Sequence, residues 1–147
     1  MKKKESILMN SQEIQKYIPN RYPYLMIDRV TEVVPGVYAK GYKNLSLNEW
    51  YYPVHFDNEP IMPGAMQMET MIQMLTMAIV TMEDNIKKVV KARRADNFKM
   101  KRRVVPGDRL DIEAEIIEIL GNEVKGRAKG FVDGELACEA LLVLEII

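Results

Sequence analysis

The chain has 147 residues, 48% apolar and 29% charged, with 21 basic and 21 acidic side chains and a formal net charge of +0. That length and balance fit one globular domain over residues 1–147, with a core that needs no disulfide or metal. Zero net charge gives no whole-chain attraction to nucleic acid or to a membrane surface.

The start is lysine-led, Lys2-Lys3-Lys4, but the apolar stretch Ile7-Leu8-Met9 is only three residues long. A secretory signal needs about 7–15, so no targeting segment is expected. Asn10 predicts the cap of a short helix over 11–17, with Glu13 completing a capping box and Pro19 ending it. Residues 24–34 and 37–47 read as extended, joined by a Pro35-Gly36 turn. Residues 48–60 hold Pro53, Asp57, Asn58 and Pro60 without a period and read as loop.

Pro63 suits the first position of a helix, where its missing N–H would have had no partner. Beyond Gly64 no Pro or Gly interrupts before Met82, and Met66, Met68, Met71, Ile72, Met74, Leu75, Met77, Ala78 and Ile79 fall on every side. A helix apolar nearly all round is buried, and at about 1.5 Å per residue this one spans roughly 30 Å. Gln67, Glu69, Gln73 and the Pro-Gly pair exclude a membrane span over 61–82. Residues 87–105 are expected to add a strand.

From Arg109 the period changes to two. Leu110, Ile112, Ala114 and Ile116 alternate with Arg109, Asp111, Glu113 and Glu115. Gly121-Asn122 turns the chain, Val124, Gly126, Ala128 and Gly130 alternate with Lys125, Arg127 and Lys129, and Asp133-Gly134 signals a tight hairpin. Leu136, Cys138, Ala140, Leu142 and Leu144 continue the pattern, giving a three-strand antiparallel meander with one wet face. Cys138, the only cysteine, reads as a buried structural thiol in a cytoplasmic protein. The fold class is α+β: one long central helix wrapped by a curved antiparallel sheet.

His55 is the only histidine and lies in the loop ahead of the helix. Imidazole is the one side chain whose ordinary pKa, about 6.5, lets it serve as base and acid near neutrality. Alone it reads first as a surface or loop-packing residue, but Glu69 stands inside the otherwise apolar helix. An unpaired buried carboxylate is costly and tends to hold a proton, which makes it a general-acid candidate. Gln73, one turn on, can orient it. Pro63-Gly64 puts free N–H groups and the positive helix end where an oxyanion can develop. Removing water from a 3-hydroxyacyl thioester needs these three roles: a base for the Cα proton, an acid for the hydroxyl and a donor for the thioester oxygen.

Residues 21–29 (RYPYLMIDR), His55-Phe56, Pro60-Ile61-Met62-Pro63-Gly64, 68–73 (METMIQ), 104–108 (VVPGD) and 132–136 (VDGEL) together resemble the FabZ-type 3-hydroxyacyl-[acyl-carrier-protein] dehydratases. The resemblance implies the hot-dog fold, His55 as base, Glu69 as acid, and the Gly64 N–H polarising the carbonyl, with Phe56, Pro63 and Gln73 in support. It also implies an acyl carrier protein partner with the substrate on a phosphopantetheine thioester and no further cofactor. A homodimer with shared active sites follows from it, as does a hexamer built as a trimer of dimers. Glu rather than Asp at position 69 favours the plain dehydratase over the dehydratase/isomerase type. Asn20 stands where the family usually has histidine, Val54 replaces a usual small residue, and Asp57-Asn58-Glu59 replaces the usual Pro-Gly-His. These differences bear on substrate preference and turnover rather than on fold.

Residues 87–103 carry nine of the 21 basic side chains against one acid, Asp96. No aromatic platform accompanies them, so nucleic-acid binding is not expected. Under the dehydratase reading Arg93, Arg94, Lys99, Lys101, Arg102 and Arg103 are expected to contact the acidic carrier or its phosphopantetheine. Seven of the 11 methionines fall between Met62 and Met82, read as core filling, with some lining an acyl tunnel. Two other readings stand beside the dehydratase: a hot-dog acyl thioesterase and a non-catalytic acyl-carrier-binding homologue.

Overall fold

Period-two alternation builds most of the molecule, and a computed structural model describes residues 8–147 of it. The lysine-led start falls outside the described residues. The expected meander is present as β4 (Arg109–Leu120), β5 (Glu123–Val132) and β6 (Glu135–Ile146). Leu110, Ile112, Ala114, Val124, Ala128 and Leu144 are buried on one face, while Glu113, Glu115 and Arg127 face water. Asp133 and Gly134 both take positive φ, 49° and 78°, as the two-residue hairpin between β5 and β6 requires.

The first helix, α1 (Ser11–Ile14), is shorter than the expected 11–17. Its capping box is formed: the Glu13 N–H donates to Asn10 Oδ1 at 2.9 Å and the Asn10 N–H to Glu13 Oε1 at 3.3 Å. Lys16 and Tyr17 then bond three residues back, to Glu13 and Ile14, which tightens the chain out of α geometry. The strands β1 (Arg29–Val34) and β2 (Tyr38–Asn44) are trimmed at their outer ends relative to 24–34 and 37–47. Residues 24–28 are not strand. The Tyr24 N–H donates back to Arg21 O, and the Met26 N–H donates to the Gln73 side chain instead of a neighbouring strand.

The central helix, α2 (Gly64–Val80), ends two residues before the expected Met82, with the Gly36 N–H of the β1–β2 turn donating to its Ala78 carbonyl at 2.8 Å. Every residue from Gln73 to Val80 is buried, while the first two turns are partly open. Met71, Met74, Leu75 and Met77 are 0% exposed, so the central methionines fill the core. Strand β3 (Val90–Met100) follows, shorter than 87–105. The six strands form one antiparallel sheet in the order β1-β2-β4-β5-β6-β3, and α2 packs against all six. Cys138 is buried against Met71, and desolvation pushes its thiol up to about 12, consistent with an inert structural role. Among the described residues no helix is long and apolar enough to cross a membrane.

Candidate active site

A 3-10 turn, Tyr52–Val54, delivers the chain to His55. Tyr51 and Tyr52 are 1% exposed and anchor this turn in the core, whereas Val54 and Phe56 on either side of the histidine are open. His55 is half-buried, and its Nδ1 lies 3.1 Å from the Ile61 carbonyl oxygen. A carbonyl only accepts, so Nδ1 carries the hydrogen and the lone pair of the neutral ring sits on Nε2. The ring stacks on Phe56 with centroids 4.7 Å apart and planes 19° from parallel.

The loop beyond closes on itself. The Phe56 N–H donates to Glu59 O and the Glu59 N–H to Phe56 O, both at 3.1 Å, and the Ile61 N–H donates to His55 O at 3.0 Å. Glu59 also accepts from the Arg103 guanidinium, across from the start of the β3–β4 connection. Asp57-Asn58-Glu59 is therefore an ordered turn, held by backbone bonds and one ion pair in place of proline stiffness.

Glu69 projects from the second turn of α2 and is half-buried rather than fully buried, a difference from expectation that follows from the open first turns of the helix. Burial still pushes its carboxyl above the ordinary value, while the bond from Gln73 works the other way. That bond is 2.9 Å from Gln73 Nε2 to Glu69 Oε1. Gln73 is 2% exposed, donates also to the Tyr24 carbonyl at 2.6 Å, and accepts from the Met26 N–H at 2.8 Å. Its amide is thus fixed at both ends, and the orientation of Glu69 is inherited from the segment 24–26.

Pro63 caps α2 with φ −58° and ψ 143°, and Gly64 is its first residue. The Pro63 carbonyl takes the Met66 and Gln67 N–H groups, while the Gly64 N–H meets no acceptor among the described residues. A Cβ at Gly64 would stand 2.8 Å from Met100 Sδ and 3.3 Å from Phe98 Cε1, so a side chain there would push the Met100 thioether of β3 aside. This end of the helix offers a free donor with a positive dipole behind it.

No hydrogen bond or ion pair among the described residues joins His55 to Glu69 within one chain. Of the six basic residues singled out, Arg93 pairs with Glu145 at 2.9 Å, Arg94 with Asp96 at 2.7 Å, Arg102 with Glu135 at 2.9 Å, and Arg103 with Glu59. Lys99 and Lys101 are exposed and have no ion pair among the described residues. Among those residues no group of three or more His, Cys, Asp or Glu is placed to hold a metal ion.

Sequence reasoning missed Lys43, which is 7% exposed and ion-paired to Glu49 and Asp28. The signal was its parity, since it shares the inward face of β2 with Ala39 and Gly41. It also missed Gln67, 1% exposed, whose Nε2 donates to Met62 O at 3.1 Å.

The FabA-like domain profile matches residues 18–146 of the chain. The chain is 39% identical over 139 residues to the 3-hydroxyacyl-[acyl-carrier-protein] dehydratase FabZ of Bacillus subtilis, covering 95% of this chain and 99% of that one. It is 42% identical over 135 residues to the protein of the same description from Natranaerobius thermophilus, covering 92% and 95%. Among solved structures it is similar to a chain of the dehydratase heterocomplex ApeI:P from Xenorhabdus doucetiae, with TM-score 0.77, 13% identity, and 91% and 90% of the two chains covered. An uncharacterized protein of Pyrococcus horikoshii gives TM-score 0.71 at 17% identity, covering 90% and 92%.

Proposed function

This chain belongs to the FabA-like family, among its FabZ-type 3-hydroxyacyl-[acyl-carrier-protein] dehydratases of hot-dog fold, and on that premise we propose that His55 is the base and Glu69 the acid of the dehydration. The observation that carries the assignment is Glu69, a half-buried carboxyl with a raised pKa, held in one orientation by Gln73. A raised pKa keeps it protonated at higher pH, as a general acid needs.

In the proposed route His55 Nε2 removes the Cα proton of the thioester. The Gly64 N–H, backed by the α2 dipole, stabilises the charge that gathers on the thioester oxygen. The Cα electrons form the Cα=Cβ bond, the 3-hydroxyl departs with the Glu69 proton as water, and a trans-2-enoyl thioester remains. Transfer of a proton from imidazolium to carboxylate, through solvent, restores the resting pair. The Ile61 bond supports this role, because it leaves Nε2 as the acceptor. Phe56 and Pro63 support it by stacking on the imidazole and by capping the helix.

The acyl group is proposed to arrive on the phosphopantetheine of an acyl carrier protein. Lys99 and Lys101, having no ion pair of their own among the described residues, lead the docking, and Arg93, Arg94, Arg102 and Arg103 join by exchanging partners. The route moves only protons and is proposed to run without a cofactor, in the cytoplasm, on a chain acting as one domain over 1–147. A homodimer whose sites each take His55 from one protomer and Glu69 from its partner is part of the same proposal. Assembly of three dimers into a hexamer is part of the same reading.

Purified protein is expected to interconvert 3-hydroxyacyl and trans-2-enoyl carrier thioesters, with His55→Ala and Glu69→Ala each nearly inactive. Mixed under subunit exchange, the two variants should regain part of the activity through hybrid sites. Absence of any regain would count against the shared site, and release of free thiol without enoyl formation would favour a thioesterase.

A further inference from the structure

Lys43 stands on the inward face of β2, and its side chain is only 9% exposed. An ammonium in such a place needs carboxylate partners. Its Nζ lies 2.8 Å from Glu49 Oε1 and 3.6 Å from Asp28 Oδ2, and Asp28 Oδ2 also accepts the Asn44 N–H at 2.7 Å.

The two carboxylates lie on separate segments, and each segment leads to one half of the proposed catalytic pair. From Glu49 the backbone steps toward the histidine: the Tyr52 N–H donates to Glu49 O and the His55 N–H to Tyr52 O, both at 3.2 Å. Asp28 ends the segment whose Tyr24 carbonyl and Met26 N–H hold Gln73, which in turn holds Glu69. A second tie crosses the same seam, from Trp50 Nε1 to the Pro23 carbonyl at 3.3 Å, with the Tyr24 and Trp50 rings 6.2 Å apart.

The structure assigns to Lys43 the role of a positioning residue that clamps the His55 loop to the segment orienting Gln73 and Glu69. The assignment rests on the reading of His55 and Glu69 as base and acid. Lys43 touches neither side chain and acts through Glu49 and Asp28. If His55 and Glu69 of one chain serve different sites of a dimer, each clamp sets one half of both sites.

Lys43→Met keeps the stem and removes the charge, but it leaves two carboxylates without their cation. Glu49→Gln is therefore the second variant, removing one charge while keeping the shape of the side chain. In protein that stays folded, each is expected to lower kcat about 10-fold or more while KM stays within about twofold, because the reacting groups are displaced while the surfaces that bind substrate are left as they are. Lys43→Arg, which keeps the cation, should recover much of the lost kcat.

His55 is the only histidine in the chain, so its imidazole resonances assign themselves in a nuclear magnetic resonance spectrum. They should shift or broaden in both charge-removing variants and return toward the wild-type position in Lys43→Arg. A folded Lys43→Met or Glu49→Gln enzyme with wild-type kcat and an unmoved His55 signal would overturn the assignment, leaving Lys43 a staple of the fold. Measured alongside, an active His55→Ala enzyme would instead overturn the catalytic reading on which the assignment rests.

Discussion

Strands β4 to β6 and the stretch from Lys43 to Gln73 handle polar groups in opposite ways. In the strands, charged side chains face water and pair across the ladder, Arg127 with Glu115 at 3.2 Å and Lys125 with Glu118 at 3.8 Å, while the buried face is apolar. In the other stretch Lys43, Gln67, Thr70 and Gln73 are buried. Tyr51 OH, Tyr52 OH and Gln67 Oε1 meet no hydrogen-bond partner among the described residues. Native proteins leave few such atoms inside, since each costs about 1–3 kcal/mol. The first region holds the fold, and the second carries the buried polar groups around the proposed site. Substitutions in the two regions should therefore separate stability from turnover.

The largest expected effect tests that separation directly. His55→Ala and Glu69→Ala should each lower kcat/KM by about 10²–10⁴-fold, the usual contribution of a positioned acid or base. Their thermal unfolding midpoints should stay near wild type, and collapse of the fold in either variant would break the contrast. Gln73→Leu comes next and should show both effects. It leaves the Tyr24 carbonyl and the Met26 N–H without partners, a loss of about 1–3 kcal/mol measurable by urea unfolding, and it frees Glu69, which should lower kcat.

Gly126→Ala should show the reverse of the catalytic variants. Its new Cβ would lie 2.5 Å from Leu75 Cδ2 and 2.8 Å from the Glu115 carbonyl oxygen. Overpacking of this kind destabilises by about 1–3 kcal/mol, with kcat unchanged at temperatures where the variant is folded.

The smallest effect is on stability against pH. Glu69 has an ordinary value of 4.5 and a higher one in the folded protein. Below the ordinary value both states hold the proton and its contribution to stability is complete. As pH rises through the folded value the half-buried carboxyl ionises and that contribution is lost. Glu69→Gln cannot ionise, so its unfolding midpoint should gain on wild type as pH climbs from about 4 to about 8. Solvent screening at this half-exposed position keeps the gain small.

Much of this division was legible in the sequence. Alternation over 109–145 located the three meander strands because each inward position is apolar and each turn carries its own residues, Gly121-Asn122 and Asp133-Gly134. The stretch after Gly64, free of Pro and Gly and with apolar residues on every side, located α2. His55 and Glu69 stood out because one is the only histidine and the other breaks an apolar helix. What escaped depends on contacts distant in sequence. Residues 24–28 looked like strand, yet the Tyr24 carbonyl and the Met26 N–H are taken up by the Gln73 side chain, 47 residues from Met26. The placement of β3 beside β6 is written in no local period. The partners of Lys43 lie on two other segments, and Glu59 is tied to Arg103, 44 residues away.

The position of β3 at the end of the sheet also governs how a newly made chain behaves before it meets any partner. Among the described residues this 11-residue strand pairs with β6 on one side only. An open strand edge is a template for indiscriminate pairing, and nature blunts such edges with lysine, arginine and bulges. Here Lys91, Arg93, Arg94 and Lys99 line the strand, and its register slips between Ala92 and Arg94 and again between Asp96 and Lys99. Arg93 and Arg94 are held by Glu145 and Asp96, so the charges left to meet a second copy at this edge are those of Lys91 and Lys99, with a reach set by a Debye length of about 8 Å at physiological salt. Ionic strength becomes the control on colloidal behaviour, because added salt shortens the reach of the charges along this edge.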